Sequence, residues 1–318
     1  MPSALPPHLV VRPPTLADVR AIYDLVAASD LAEIGEVDYE EGDVVEELTR
    51  PRLDIDRDYW LVADGERLVG AASVLDRIGS PAADGDFVVL PDADSSVGPH
   101  LLQLLDARAA QQAAAAGHPG IGVTLPCAAS NARRAGELAA AGYTAVRRFS
   151  RMVADLSADP PELPPSSPGV AVRLVNGVAD RSAMHTVMTA SFADHFGSTS
   201  EPYQDWWARQ SSRSGFDESL WWLAEVDTRP VGALIGRTMA EQGWVQGLGV
   251  LPAYRGRGLA RRLLLTAFAE FHFRGLRRIG LGVDTGNETG ALRLYESIGM
   301  RAAQQHDMWQ RTVPAATG

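Results

Sequence analysis

The sequence predicts an α/β protein made of two copies of one fold, each a mixed β-sheet flanked by helices. Landmarks recur at a nearly constant spacing of about 160 residues. Val10-Val11-Arg12-Pro13 matches Val170-Ala171-Val172-Arg173, and Gly70 matches Gly232. Val89-Leu90-Pro91 matches Val250-Leu251-Pro252, and Gly142 matches Gly299. Between these landmarks, strand-like alternation trades places with helical periodicity. A stretch too rich in proline for helix or sheet, 158–168, separates the copies and reads as a semi-rigid spacer. The expected division is therefore 1–157, a linker 158–168, and 169–318. A chain of 318 residues suits two domains of ordinary size.

In order, the first copy opens with a strand at Val10–Val11 and a helix over 16–28. Tyr59-Trp60-Leu61-Val62-Ala63 and Leu68-Val69-Gly70-Ala71 form a hairpin around Asp64-Gly65. The second copy repeats this with a strand at 170–173, a helix over 180–192, and a hairpin of 220–226 with 230–235. A strand over 244–251 follows. Leu259, Leu263, Leu264, Ala267, Phe268 and Phe271 then recur at helical spacing. Residues 278–284 read as a strand. Ala291, Leu292, Tyr295 and Ile298 form one helical face, closed by Gly299 as a C-terminal cap.

The stretch 244–262 reads WVQGLGVLPAYRGRGLARR. A strand, a glycine-rich turn and a helix start place unpaired backbone N–H groups and a positive dipole end at one spot, which suits phosphate. Four arginines, 255, 257, 261 and 262, add positive charge. A Rossmann fingerprint fits poorly, since its third glycine falls on Arg261. A P-loop fits worse, because the chain contains no lysine. Arg255-x-x-Gly258-x-Ala260, preceded by Val250-x-Pro252, resembles the pyrophosphate motif of the GNAT superfamily of N-acetyltransferases. The downstream pattern Val283-x-x-x-Asn287-x-x-x-Ala291-x-x-x-Tyr295-x-x-x-Gly299 resembles that family's second motif.

The resemblance implies a tandem GNAT fold with splayed sheets and acetyl-CoA as co-substrate. It implies that the turn Arg255, Gly256, Arg257, Gly258, Leu259 and Ala260 holds the pyrophosphate. It implies that Asn287 bonds the pantetheine arm and that Tyr295 faces the sulfur. A phenol there can donate to a leaving thiolate, although helical spacing alone favours a core aromatic. On the same resemblance, the strand at Leu248, Gly249 and Val250 offers backbone groups to the pantetheine, and an N–H near Leu248 or Val250 steadies the oxyanion. The first copy has Asp92, Asp94 and Pro99 at its turn and Leu138 where Tyr295 would stand. It is expected to be degenerate, a packing partner or a wall of the substrate site.

On the acceptor side, His195, Trp206 and Gln246 are candidate substrate contacts, and Glu225 and Glu241 further groups that could reach an amine. The segments Phe192-Ala193-Asp194-His195 and Phe216-Asp217-Glu218 resemble parts of the mycothiol synthases, which are tandem GNAT enzymes. The net charge of −11 argues against nucleic acid and anionic membranes as partners. It suits a small-molecule amine. A single cysteine, Cys127, excludes an internal disulfide and a cysteine metal site, and no metal is expected. No signal-like start or membrane-length apolar run appears, so a cytoplasmic enzyme is expected. The readings kept open are amine acetylation, a mycothiol-synthase-like variant acting on an amino sugar conjugate, and a non-catalytic acyl-CoA-binding protein.

Overall fold

The computed structural model of the chain describes residues 5–37, 39–77, 80–156, 161–165, 168–193, 195, 198, 201–213, 215–239, 242–286 and 290–316. It divides into two compact units. Unit 1 comprises Met1–Phe149 and Gln304–Gly318. Its first strand is β1 (Leu9–Arg12), and a short 3-10 turn then leads into α1 (Val19–Glu33). Arg12 grips Asp18 at that entry, at 2.5 Å, and Asp18 also accepts the Thr15 N–H. Next come α2 (Glu41–Leu48), the single turn α3 (Ile55–Asp58), β2 (Tyr59–Asp64) and β3 (Arg67–Asp76). Then follow β4 (Ala82–Val89), α4 (Val97–Ala115), β5 (Gly120–Ala128), α5 (Ala132–Ala140) and the first part of β6 (Thr144–Asp155).

Unit 2 comprises Ser150–Ala303. It takes the end of β6, then β7 (Val170–Leu174), α6 (Gly177–Phe192), α7 (Tyr203–Ser211), β8 (Trp221–Val226) and β9 (Arg229–Met239). β10 (Gln242–Val250), α8 (Leu259–Phe273), β11 (Arg278–Asp284) and α9 (Ala291–Ser297) follow. The last strand, β12 (Arg301–Pro314), passes into unit 1 at Gln304. The entry device recurs: Arg173 grips Asp180, which accepts the Asn176 N–H. The hairpin recurs too, with a register shift at Val62/Ala63 in one unit and at Ala224/Glu225 in the other.

The strand order is β1-β2-β3-β4-β5-β12 in unit 1 and β6-β11-β10-β9-β8-β7 in unit 2. β4–β5 and β10–β11 pair in parallel, while the pairs β1–β2, β2–β3, β3–β4, β5–β12 and those from β7 to β10 are antiparallel. The sheets are therefore mixed, as expected.

The division differs from the expected 1–157, 158–168 and 169–318. The copies exchange their closing strands. β12 lies antiparallel along β5 from His306↔Ala128 to Pro314↔Gly120 and buries Val313 in the core of unit 1. Met152 and Ala154 of β6 are buried in the core of unit 2. The proline run therefore falls inside unit 2, where Arg262 holds the carbonyls of Pro164 and Pro165 at 3.4 and 3.1 Å. No helix among the described residues is long and apolar enough to cross a membrane.

Candidate active site

The site begins with a bulge. Gly243 turns its Cα toward α8, where a Cβ would meet the Phe271 ring at 2.6 Å. Simple alternation would put positions 247 and 249 on that same face. The register shift between Val245 and Gly247 inserts one residue and reverses the parity. Gly247 and Gly249 consequently face α6. A Cβ at Gly247 would lie 2.5 Å from Met188 Cε, and one at Gly249 2.8 Å from Ser191 Cβ. These glycines exist because α6 packs directly on the strand.

The same strand opens an edge. β10 and β11 pair only over Gly243↔Ile279, Trp244↔Gly280 and Val245↔Leu281, although both run on. The Leu251 N–H points to β9, bonding Val231 O at 2.9 Å. By alternation the N–H groups of Leu248 and Val250 point the other way, along the opened edge. The Val250 carbonyl on that edge accepts from Arg255 Nε at 3.2 Å, and Arg255 Nη2 reaches Ser191 O at 3.2 Å. Arg255 therefore braces the turn against β10 and α6.

Beyond the strand, a 3-10 turn over Pro252–Tyr254 leads to Gly256 and Gly258, both at φ +75. Nothing lies within 4 Å of a Cβ at either, so the left-handed backbone, rather than crowding, demands glycine. Gly258 caps α8, and its carbonyl closes the first turn with Arg262 N at 3.0 Å. The N–H groups of Leu259, Ala260 and Arg261 precede that bond and have no helical acceptor. Arg257 is exposed and lies over the Tyr254 ring, 5.1 Å from its centroid. Arg261 instead bonds Ser297.

Tyr295 is held by the end of α9. Met300 N bonds Tyr295 O at 3.0 Å, and Gly299 N bonds Glu296 O at 3.0 Å with Gly299 at φ +88, a Schellman closure. The Tyr295 ring joins the core of unit 2 and is 8% exposed. Its hydroxyl bonds no side chain among the described residues, and burial pushes its pKa up to about 12. Asn287 lies outside the described residues; Gly286 N before it bonds Asp284 Oδ1 at 2.8 Å.

A cavity of about 230 Å³ lies on the α6 side of β10. His185, Met188, Thr189 and Phe192 enter it from α6, Trp206, Arg209 and Gln210 from α7, and Gln246 and Gly247 from β10. Among the described residues, the lining includes Trp206 and Gln246 and does not include His195. The His195 ring packs edge-on against Phe192, 4.5 Å between centroids. Glu225 is held by Arg173 at 2.7 Å away from the cavity, and Glu241 lies outside the described residues. Of the segment around Phe216, Asp217 pairs with Arg274 at 2.5 Å and Glu218 with Arg181 at 2.6 Å, both scaffold contacts. Trp206 also packs on Trp221, with centroids 5.7 Å apart, which anchors α7. The sequence reading missed His185, Met188, Thr189 and Arg209. The signal was present: 185, 188, 189 and 192 follow helical spacing, offset from the buried stripe Met184, Val187 and Ser191.

A family model described as "Acetyltransferase (GNAT) family" matches residues 182–300. The mycothiol acetyltransferase of Cellulomonas flavigena is 32% identical over 258 residues, covering 76% of this chain and 70% of its own length.

The chain belongs to the GNAT family of acetyltransferases.

The mycothiol acetyltransferase of Acidothermus cellulolyticus is 30% identical over 267 residues, 75% of its length. That of Thermobispora bispora is 33% identical over 184 residues, and there the match spans 59% of the relative's length. Among solved structures, a GCN5-related N-acetyltransferase from Sphaerobacter thermophilus superposes with a TM-score of 0.84 at 27% identity, covering 99% of this chain and 98% of that one. A tandem GNAT protein from the clavulanic acid biosynthesis pathway superposes at 0.72 with 17% identity, covering 97% and 100%, which speaks to the fold. The tandem GNAT reading of the sequence therefore holds.

Proposed function

We propose that unit 2 transfers an acetyl group from acetyl-CoA to the primary amine of a small molecule by direct attack in a ternary complex. The observation that carries this is the opened edge of β10. By alternation its Leu248 N–H points away from β9, beyond the β11 pairing of the described residues, and the strand runs straight into a left-handed glycine turn and the bare N-terminus of α8. Such an edge suits an amide-bearing arm, and such a turn suits a pyrophosphate. Acetyl-CoA, the family's donor, has both in that order. In this reading the N–H groups of Leu259 and Ala260 hold phosphate oxygens, and Arg257 supplies charge from the exposed side. Leu248 N–H donates to the thioester oxygen as negative charge develops there.

Tyr295 keeps its proton at any physiological pH, because burial raises its phenol. An ordinary thiol ionises near 8.5, so full transfer from a phenol near 12 is uphill, and the hydroxyl acts mainly as a hydrogen-bond donor to the departing sulfur. Cys127 is no nucleophile: it sits in unit 1, and burial pushes its thiol up to about 11. The amine therefore attacks without a covalent enzyme intermediate. The named relatives support an acceptor of the mycothiol type, the amine of an amino sugar conjugate, as the second reading.

Calorimetry with CoA tests the donor half. One site per chain is expected, lost in Gly258→Val, where a β-branched residue must adopt positive φ, and kept in Asp94→Ala. Two equivalent sites, or the opposite pattern of loss, overturns the placement. Thiol release with an amine panel separates the enzyme from a non-catalytic acyl-CoA-binding protein, which would bind CoA with no turnover.

A further inference from the structure

We propose that His185 takes the proton from the incoming amine, making it the base of this site. The inference rests on the acetyl-transfer reading of unit 2. Attack needs a neutral amine, whereas a primary amine in water is mostly ammonium, so a base must be at hand. His185 lies on the cavity side of α6, in the same cavity as Gln246 and Gly247 of the opened strand. Its Nε2 is 2.9 Å from the Glu201 carbonyl oxygen. A carbonyl only accepts, so Nε2 carries the hydrogen, and the neutral ring keeps its lone pair on Nδ1. The ring cannot swing freely, being packed 5.3 Å from Trp206 and 5.9 Å from Tyr203 between centroids.

The other lining groups are poorer bases. The Glu201 carboxylate is already engaged by Arg209 through Nε at 3.1 Å and Nη2 at 2.7 Å. Gln246 is an amide, and Thr189 and Ser198 carry hydroxyls. Among the described residues, the charged and titratable groups around His185 are Glu201, Tyr203 and Arg209 of the α7 region, and β9 and β10 contribute Ile235, Gln246 and Gly247 to the cavity. On its own helix, Arg181 one turn earlier is paired with Glu218.

The step balances as follows. One ammonium proton passes to Nδ1 and on to solvent. The nitrogen lone pair forms the C–N bond, and the C–S pair leaves on sulfur. The Tyr295 hydroxyl bonds that sulfur as it leaves. The second ammonium proton leaves the nitrogen as the amide forms, and the thiolate gains one from the site. The net release is one proton.

The test is thiol release from acetyl-CoA with whichever of glucosamine, spermidine or benzylamine turns over fastest, followed against pH. The wild type should show an acid limb in kcat, the parameter that reports the groups of the bound complex rather than the free amine. His185→Gln keeps a donor for the Glu201 carbonyl; it should lose that limb and about 10²-fold in kcat, with CoA affinity unchanged. Added imidazole should restore tenfold or more to His185→Ala, which a merely structural histidine would not allow. A limb that persists in His185→Gln, or a kcat within threefold of wild type, overturns the assignment and leaves acetyl transfer standing. If both variants fail to fold, a wild-type kcat profile with no acid limb overturns it. Wild type that binds CoA yet releases no thiol with any amine removes both readings.

Discussion

The two units carry the same opened edge and treat it oppositely. In unit 1, β4 and β5 pair only over Ala82↔Gly122, Ala83↔Val123 and Asp84↔Thr124 before both run on, so the opening is as wide in register as that of unit 2. Leu90 N points back to Val69 O at 3.0 Å, which by alternation turns Phe87 and Val89 to the opening. Asp86 accepts the Phe87 N–H at 2.7 Å, and Arg133 donates to the Val89 carbonyl at 2.9 Å, as Arg255 does to that of Val250. At the turn, Asp92 is paired with Arg67 at 3.0 Å and Asp94 holds Ser96 N at 2.9 Å. The Glu137 carboxylate lies so close to Gly98, in the first turn of α4, that a Cβ there would collide with it. In unit 1 a side chain thus takes the Phe87 N–H, whereas in unit 2 no side chain among the described residues takes the matching N–H of Leu248. The backbone opening is common to both units, and the side chains beside it differ.

The closing helices make the same comparison. Tyr143 N bonds Leu138 O and Gly142 N bonds Ala139 O, both at 3.0 Å, the same Schellman closure that places Tyr295. Leu138 and Tyr295 are structural equivalents, and the leucine offers neither the ring nor the hydroxyl.

The largest effect should come from cutting the chain where the sequence suggests. The segment 169–318 alone lacks Met152 and Ala154 from the core of unit 2 and leaves β12 without β5. Burial of one such large side chain is worth roughly 1.5–3 kcal/mol, against a typical domain stability of about 5–15 kcal/mol. Losing a whole strand should leave the segment aggregated or molten, by circular dichroism and amide dispersion. A folded, fully active 169–318 would show that the strand exchange is dispensable and would break the comparison at its root.

Next in size is Tyr295→Phe, which makes unit 2 resemble unit 1 at one atom. It should lower kcat by about 10²–10⁴-fold with CoA affinity nearly unchanged. The acting form is the protonated phenol, so its contribution persists as pH rises until about 12, and no alkaline limb below about pH 11 should trace to it. A kcat within threefold of wild type would make Tyr295 a core residue like Leu138.

The smallest effect concerns a carboxyl that only unit 1 has. Burial pushes Glu47 up to about 7, with Asp86 and Asp43 adding to this and a bond from Tyr39 opposing it. The folded unit binds this proton more tightly than the unfolded chain, so its contribution is full below about pH 4.5 and is lost as pH rises through about 7. Glu47→Gln imitates the protonated form. It should leave the melting temperature unchanged near pH 4.5 and raise it at pH 8, by about 1–2 kcal/mol of stability once solvent screening is allowed for. A melting-temperature difference independent of pH would show that Glu47 binds its proton equally in the folded unit and the unfolded chain.

Local preference made much of this legible in advance. The glycines at 256, 258 and 299 take positive φ, the stripe from Leu259 to Phe271 is buried, and β11 has the limits read from its residues. The repeat was legible because its landmarks are backbone necessities: a capped entry, a two-residue hairpin loop, a Schellman glycine. All of these are settled within a few residues along the chain. The tertiary structure alone decided which copy owns which closing strand, because β6 and β12 are both plausible partners for either sheet. It alone showed that one inserted residue turns Gly247 and Gly249 toward α6. It alone showed Arg255 bracing the turn and His185 in the lining of the cavity. Each of these depends on which element packs against which across a hundred residues or more. That choice is made by burial and by polar groups finding partners, and no local pattern records it.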